Sequence, residues 1–188
     1  MIRLLRNRIA LSTVITTLII LVVSILLASV LTYFAINVVS TRVQEESLYV
    51  SKQHIWVETD GAATEAAIMI TNTGGRDVVI SKIAVRGQSC AWTNVFYAVA
   101  NKTLDATALT TDLTYVDTLA AASDLGLNAT ATAATGNLVL TSGSTIVVYI
   151  NDPDSIGLND VGLTVSIAVH SAQAVYYSEV NIQAAPAA

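Results

Sequence analysis

From Ile9 to Thr41 no side chain carries a charge, and Leu11 to Ile36 reads LSTVITTLIILVVSILLASVLTYFAI, with bulky aliphatic residues on most faces of a helical projection. This stretch exceeds the roughly 20 residues that span a bilayer core. A helix apolar all round needs lipid or apolar neighbours on all sides. The sequence runs on through Asn37 and VVSTRVQEESLYVSKQ without proline or glycine, so the helix is expected to extend from Leu11 to about Lys52. At 1.5 Å per residue it would form a rod of roughly 60 Å, about twice the bilayer core. At 100° per residue Thr13, Thr17, Ser24, Ala28 and Ala35 fall within roughly 60° of one another, a stripe of small side chains. Such stripes let helix backbones approach closely. Ser and Thr are also tolerated in apolar helices for a simpler reason, because their hydroxyls bond the carbonyl one turn back.

Beyond the helix the period shortens. Segments rich in β-branched residues recur between turn signals: HIWVET, AAIMIT, DVVISKIAV, WTNVFYAV, NLVL, TIVVYI, LTVSIAV and AVYYSEVNI. Leu163, Val165, Ile167 and Val169 alternate with Thr164, Ser166, Ala168 and His170, the period of a half-buried strand. The expected class is α+β, a long hydrophobic helix followed by an antiparallel β-sandwich. Asn72-Thr73-Gly74-Gly75 and Ser142-Gly143 read as tight turns in which glycine supplies positive φ, so adjacent strands are expected to be antiparallel. Residues 101–136, dominated by Thr, Ala and Asp, read as an exposed, partly irregular excursion. Two N-glycosylation triplets fall there, at Asn101 and Asn128. In a Thr-rich stretch chance alone also produces such triplets. The chain therefore divides into a basic leader (1–10), the hydrophobic helix (11–52) and a β-rich domain (53–188).

Composition narrows the function. The 188 residues are 53% hydrophobic and 12% charged, about half the usual charged fraction. Arg3, Arg6 and Arg8 precede the apolar stretch and Glu45 and Glu46 follow it, an asymmetry expected to place the leader in the cytoplasm and the domain outside. The formal net charge is −5, and without basic clusters nucleic acid is not an expected partner. Cys90 is the single cysteine, read as a small buried hydrophobe. His54 and His170 lie in strand-like contexts and read as structural. Asn151, Asp152, Asp154, Asn159 and Asp160 offer oxygen ligands, but Ile156 and the missing closing glutamate break the EF-hand pattern. A polar inter-strand loop is the simpler reading. Trp56, Trp92, Tyr176 and Tyr177 are expected in core or interface positions. No metal, cofactor or catalytic constellation is expected, and the chain reads as a non-enzyme.

The arrangement RNRIALSTVITTLIILVVSILLASVLTYF resembles the start of archaeal type IV pilins: a short basic leader, a small residue at the peptidase site and a hydrophobic helix opening on a Ser/Thr-Val-Ile phrase. The resemblance covers about 40 residues. It implies a prepilin peptidase that cuts between Ala10 and Leu11, with Arg8 in the leader, although Ile9 separates Arg8 from Ala10. Ile15 occupies the fifth mature position, where bacterial pilins carry glutamate. It further implies an immunoglobulin-like outer domain and a pilus assembly ATPase with its membrane platform. The product would be a homo-oligomeric helical filament at the cell surface, its subunits held in the membrane before assembly. The archaellin of a motility filament shares this plan. A monomeric, membrane-anchored binding domain is the alternative from a different class.

Overall fold

In the computed structural model, residues 2–43, 45–61, 63–100, 112–116, 119 and 131–185 are described. They form two compact units, residues 1–44 and 45–188. The first is the helix α1 (Ile2–Val43). Its long run of leucine, isoleucine and valine without proline keeps every i to i−4 backbone bond available. All of its described side chains from Leu11 to Thr41 are exposed. By length and composition this helix is compatible with a membrane span or a signal sequence.

The helix ends earlier than the expected Lys52. Residues Leu48–Val57 form a strand, β1. Its first half pairs with the strand that follows, Leu48 opposite Asn72 through Ser51 opposite Met69, and Leu48 is buried. The Leu-Tyr-Val phrase therefore gains a paired and half-buried position that continuing the helix would forfeit. A register shift between Ser51 and His54 accommodates Lys52 at φ 51°, as a bulge does.

The remaining strands are β2 (Thr64–Asn72), β3 (Val78–Val85), β4 (Gln88–Ser89), β5 (Val95–Ala100), β6 (Thr132–Ala133), β7 (Leu138–Leu140), β8 (Thr145–Asn151), β9 (Thr164–Ser171) and β10 (Val175–Ala184). All eight expected strands are present, and β4 and β6 are short additions. They join in one curled path, β4-β3-β9-β10-β1-β2-β8-β5-β6, with β7 also on β3. Pairing is antiparallel except between β1 and β10, which run parallel with Ile55 opposite Ile182. That pair departs from the expected all-antiparallel arrangement. It links the half built on β2 and β8 to the half built on β9 and β3.

Neither turn expected to close a hairpin does so. The 72–75 turn joins β2, which pairs with β1 and β8, to β3, which pairs with β4, β7 and β9. Ser142-Gly143 likewise joins β7 to a strand it does not pair with. Gly143 has the expected positive φ of 74°, whereas Gly74 lies outside the positive-φ set and serves through close approach. A Cβ there would sit 2.6 Å from the Glu45 carbonyl oxygen and 2.7 Å from the Ser47 nitrogen. A tight hairpin does form at Arg86-Gly87, with φ of 51° and 83° between β3 and β4.

The main core draws on both halves of the path: Ile55, Ile68, Ile70, Ile146, Val148 and Ile150 from one, Ile80, Ile83, Val85, Ile167 and Val169 from the other. Leu163, expected in this alternation, precedes β9 and is 47% exposed. A second apolar cluster covers the opposite face of β1, β2, β8 and β5 through Trp56, Met69, Ala98, Val147 and Tyr149. Leu113 and Ala131, from the supposedly exposed excursion, are buried in it. The described part of that excursion thus covers the sheet, and β2 and β8 are apolar on both faces because both are packed.

Candidate functional site

Two surfaces carry chemistry worth weighing. The first is the flank of α1. Thr13, Thr17, Ser24, Ala28 and Ala35 are all exposed along it. The Thr17 hydroxyl donates to the Val14 carbonyl at 2.9 Å and the Ser24 hydroxyl to Ile20 at 2.7 Å. Thr16, Ser29, Thr32 and Thr41 make the same kind of bond to Ser12, Ile25, Ala28 and Asn37. These six hydroxyl protons are satisfied within the helix, so at these positions it can meet an apolar medium without orphaned donors. An open groove beside the stripe is lined by Ile25, Ala28, Ser29, Thr32, Tyr33 and Ile36. Only Ala28 belongs to both. Ser29 and Thr32 therefore extend the small-residue surface beyond the sequence-based stripe.

Arg8 and Ala10 lie within the span of α1, and their side chains are outside the described residues; Leu11 is exposed. Asn101 and Asn128 are also outside the described residues.

The second surface is the outer sheet face crossed by residues 112–116. His54 and Trp56, two apart on β1, share this face with their rings stacked at 5.0 Å and 8°. The Asp112 carboxylate meets His54 Nε2 at 2.9 Å, and that hydrogen bond holds it below the usual carboxylate range. Tyr115 packs edge-on against Trp56 and donates its hydroxyl to Glu58 at 2.7 Å. The Tyr149 hydroxyl donates to the Thr114 carbonyl at 3.0 Å. Burial, followed by the charge of Glu65, drives that phenol above its ordinary value.

Glu65 is the unusual member. It stands opposite Trp56 on β1 and Asn151 on β8, is 2% exposed, and accepts the Val116 backbone N–H at 3.2 Å. Burial pushes its carboxyl up to about 8, against a smaller opposing effect of that hydrogen bond. Sequence reasoning passed over it. The available signal was a lone carboxylate within TEAAIMITN, a strand apolar at both parities. His54 reads from sequence as structural, and its carboxylate partner lies 58 positions along the chain.

The 151–160 loop is held through Asp160. Asp160 accepts the Gly157 N–H at 2.9 Å and meets Arg86 at 3.1 Å. Arg86 also donates to the Ser155 carbonyl. Among the described residues no group of three or more His, Cys, Asp or Glu converges. Cys90 packs against the main core, and burial raises its thiol to about 11. Trp56 is buried, Trp92 and Tyr176 pack against the core, and Tyr177 is exposed.

No protein-family model matches the chain, and no curated protein does. Among solved structures it is similar to a β-glucosidase, EmGH1 from Erythrobacter marinus, at 12% identity and a TM-score of 0.29. That similarity covers 73% of this chain but spans only 15% of the glucosidase. At such a TM-score it carries no argument about fold or activity.

Proposed function

We propose that the chain is the subunit of an archaeal type IV adhesion pilus, held in the cytoplasmic membrane by α1 and then polymerised through it into an extracellular filament. The observation that carries this reading is the apolar length of α1. Leu11–Thr41 is 31 residues with a mean hydropathy of 2.9 in its most apolar window, or about 46 Å of helix against a bilayer core of roughly 30 Å. A monomeric anchor needs about 20 residues. The additional turns call for apolar neighbours other than lipid tails, and copies of the same helix supply them.

Lipid and a helix bundle are similarly apolar, so close packing and outer-domain contacts must favour the exchange. The internally bonded hydroxyls of Thr17, Ser24, Ser29 and Thr32 suit both surroundings. A prepilin peptidase would cut between Ala10 and Leu11, and the assembly ATPase with its membrane platform would supply direction. The immunoglobulin-like sandwich belongs to this proposal. Its support is the main core shared by both halves of the curled sheet and the parallel β1–β10 pair.

Electron microscopy of sheared cell-surface material, with mass determination of the mature amino terminus, tests the reading. Filaments whose subunits begin at or near Leu11 are the expected result. Recovery of the intact chain solely as a membrane monomer would overturn it. Swimming assays on a deletion strain separate an adhesion filament from a motility filament.

A further inference from the structure

Between β5 and β6 the chain crosses the outer face of β1, β2 and β8, and five consecutive residues each make a defined contact there. Asp112 meets His54, Leu113 enters the second apolar cluster, the Thr114 carbonyl receives Tyr149, Tyr115 reaches Glu58 and Trp56, and the Val116 N–H ends on Glu65. We propose that residues 112–116 form an acid-locked strap, closed over the second apolar cluster while Glu65 is protonated and loosened when Glu65 ionises.

The geometry gives Glu65 this role. Its carboxyl is buried between the strap and the sheet, so closing the strap removes it from water. The titratable groups of this face, among the described residues, are Lys52 and His54 on β1, Glu58 just beyond it, Tyr149 on β8, and Asp112 and Tyr115 on the strap. His54 and Lys52 both favour the Asp112 carboxylate. Glu58 takes the Tyr115 hydroxyl, and Tyr149 feels Glu65 as an unfavourable charge. Of the influences on Glu65 itself, burial opposes ionisation and outweighs the single favourable contact from Val116.

In the closed strap the carboxyl titrates near 8, and once exposed to water it returns toward 4.5. The closed form therefore holds the proton more tightly, and the contribution of Glu65 to closure is fully present below the lower value. Between the two values closure weakens by about tenfold per pH unit, and above the higher one it changes no further. His54 also holds the strap, through Asp112, so it needs its own control.

Hydrogen exchange of the full chain in detergent tests this, read as protection factors in which the intrinsic base-catalysed rate is divided out. Protection at residues 113–116 should fall about tenfold per unit from pH 5 to pH 8. Glu65→Gln keeps an acceptor for Val116 without the charge and should flatten the slope, while His54→Gln should retain it. Equal slopes in the native and Glu65→Gln chains overturn the proposal, as does a slope abolished by His54→Gln alone. Should Glu65→Gln fail to fold, carbon-13 titration of the native Glu65 carboxyl decides. A midpoint near 8 supports the strap, and one near 4.5 removes its basis.

Discussion

The Ser47 carbonyl oxygen accepts the backbone N–H of Gly74 at 3.0 Å, and that of Thr73 at 2.9 Å. The segment that precedes β1 is thereby fastened to the β2–β3 turn, and the hydroxyls of Ser47 and Thr73 add a contact at 2.9 Å. Gly74→Ala would drive a methyl group into the Glu45 carbonyl and the Ser47 nitrogen. Because the obstacle is backbone, relief requires the clamp to shift. A loss of about 2 kcal/mol is expected, visible as a lowered Tm by near-ultraviolet circular dichroism. An unchanged Tm would show that the clamp yields freely.

Asn72 organises the same end of the sheet from inside. It is fully buried, donates its amide to the Arg76 and Leu140 carbonyls at 2.8 and 3.1 Å, and accepts the Gly74 N–H at 3.0 Å. Asn72→Ala leaves these partners unmatched and should cost about 2–3 kcal/mol. Asn72→Asp should be worse, since an ionised carboxylate would face two carbonyl oxygens with no proton to offer. Chemical denaturation of the three chains gives the order, and an aspartate variant as stable as the native chain would contradict this account.

These two residues show what was legible in advance. The turn at 72–75 could be read from Asn and Gly, but its partners could not, because Ser47 and Leu140 approach only when the sheet closes. The strands were readable because β-branched residues cluster in them. Leu48–Lys52 was misread as helix because nothing local ends one there, and its strand form depends on pairing with β2. Leu113 misled in the opposite direction: a leucine among Thr and Asp looks exposed until the second apolar face of β2 and β8 is recognised. Glu65 was passed over, since its partner is the backbone of Val116, which only the fold brings to it.

At the helix, Ala28→Arg should leave synthesis and membrane insertion intact and abolish filaments. Ala28 lies at the meeting of the small-residue stripe and the groove containing Ser29 and Thr32. A guanidinium can reach toward polar surroundings in lipid but blocks close approach of a second helix. Membrane fractionation with microscopy of sheared material reads both effects, and normal filaments would remove the helix from the packing role.

The strap should also loosen at the acid extreme. The Asp112 carboxyl is held below its ordinary range by His54, so its contribution is present above the unfolded value and is lost as pH falls through the lowered one. Its side chain is 67% exposed, which limits the effect to under about 1 kcal/mol and makes it sensitive to salt. Protection at residues 113–116 should therefore decline again below about pH 4. Asp112→Asn, or 1 M salt, should suppress that decline. Persistence of the full acid decline in Asp112→Asn would assign it elsewhere.

The parallel contact of β1 with β10 has a consequence for how the domain is made. Ile55 leaves the ribosome long before its partner Ile182, so the two halves of the sheet can join only after β10 has been synthesised. Contacts so distant in sequence slow folding. On the proposed reading, in which the domain is exported across a membrane, this delay is useful: the β1–β10 junction stays open until β10 has gone through.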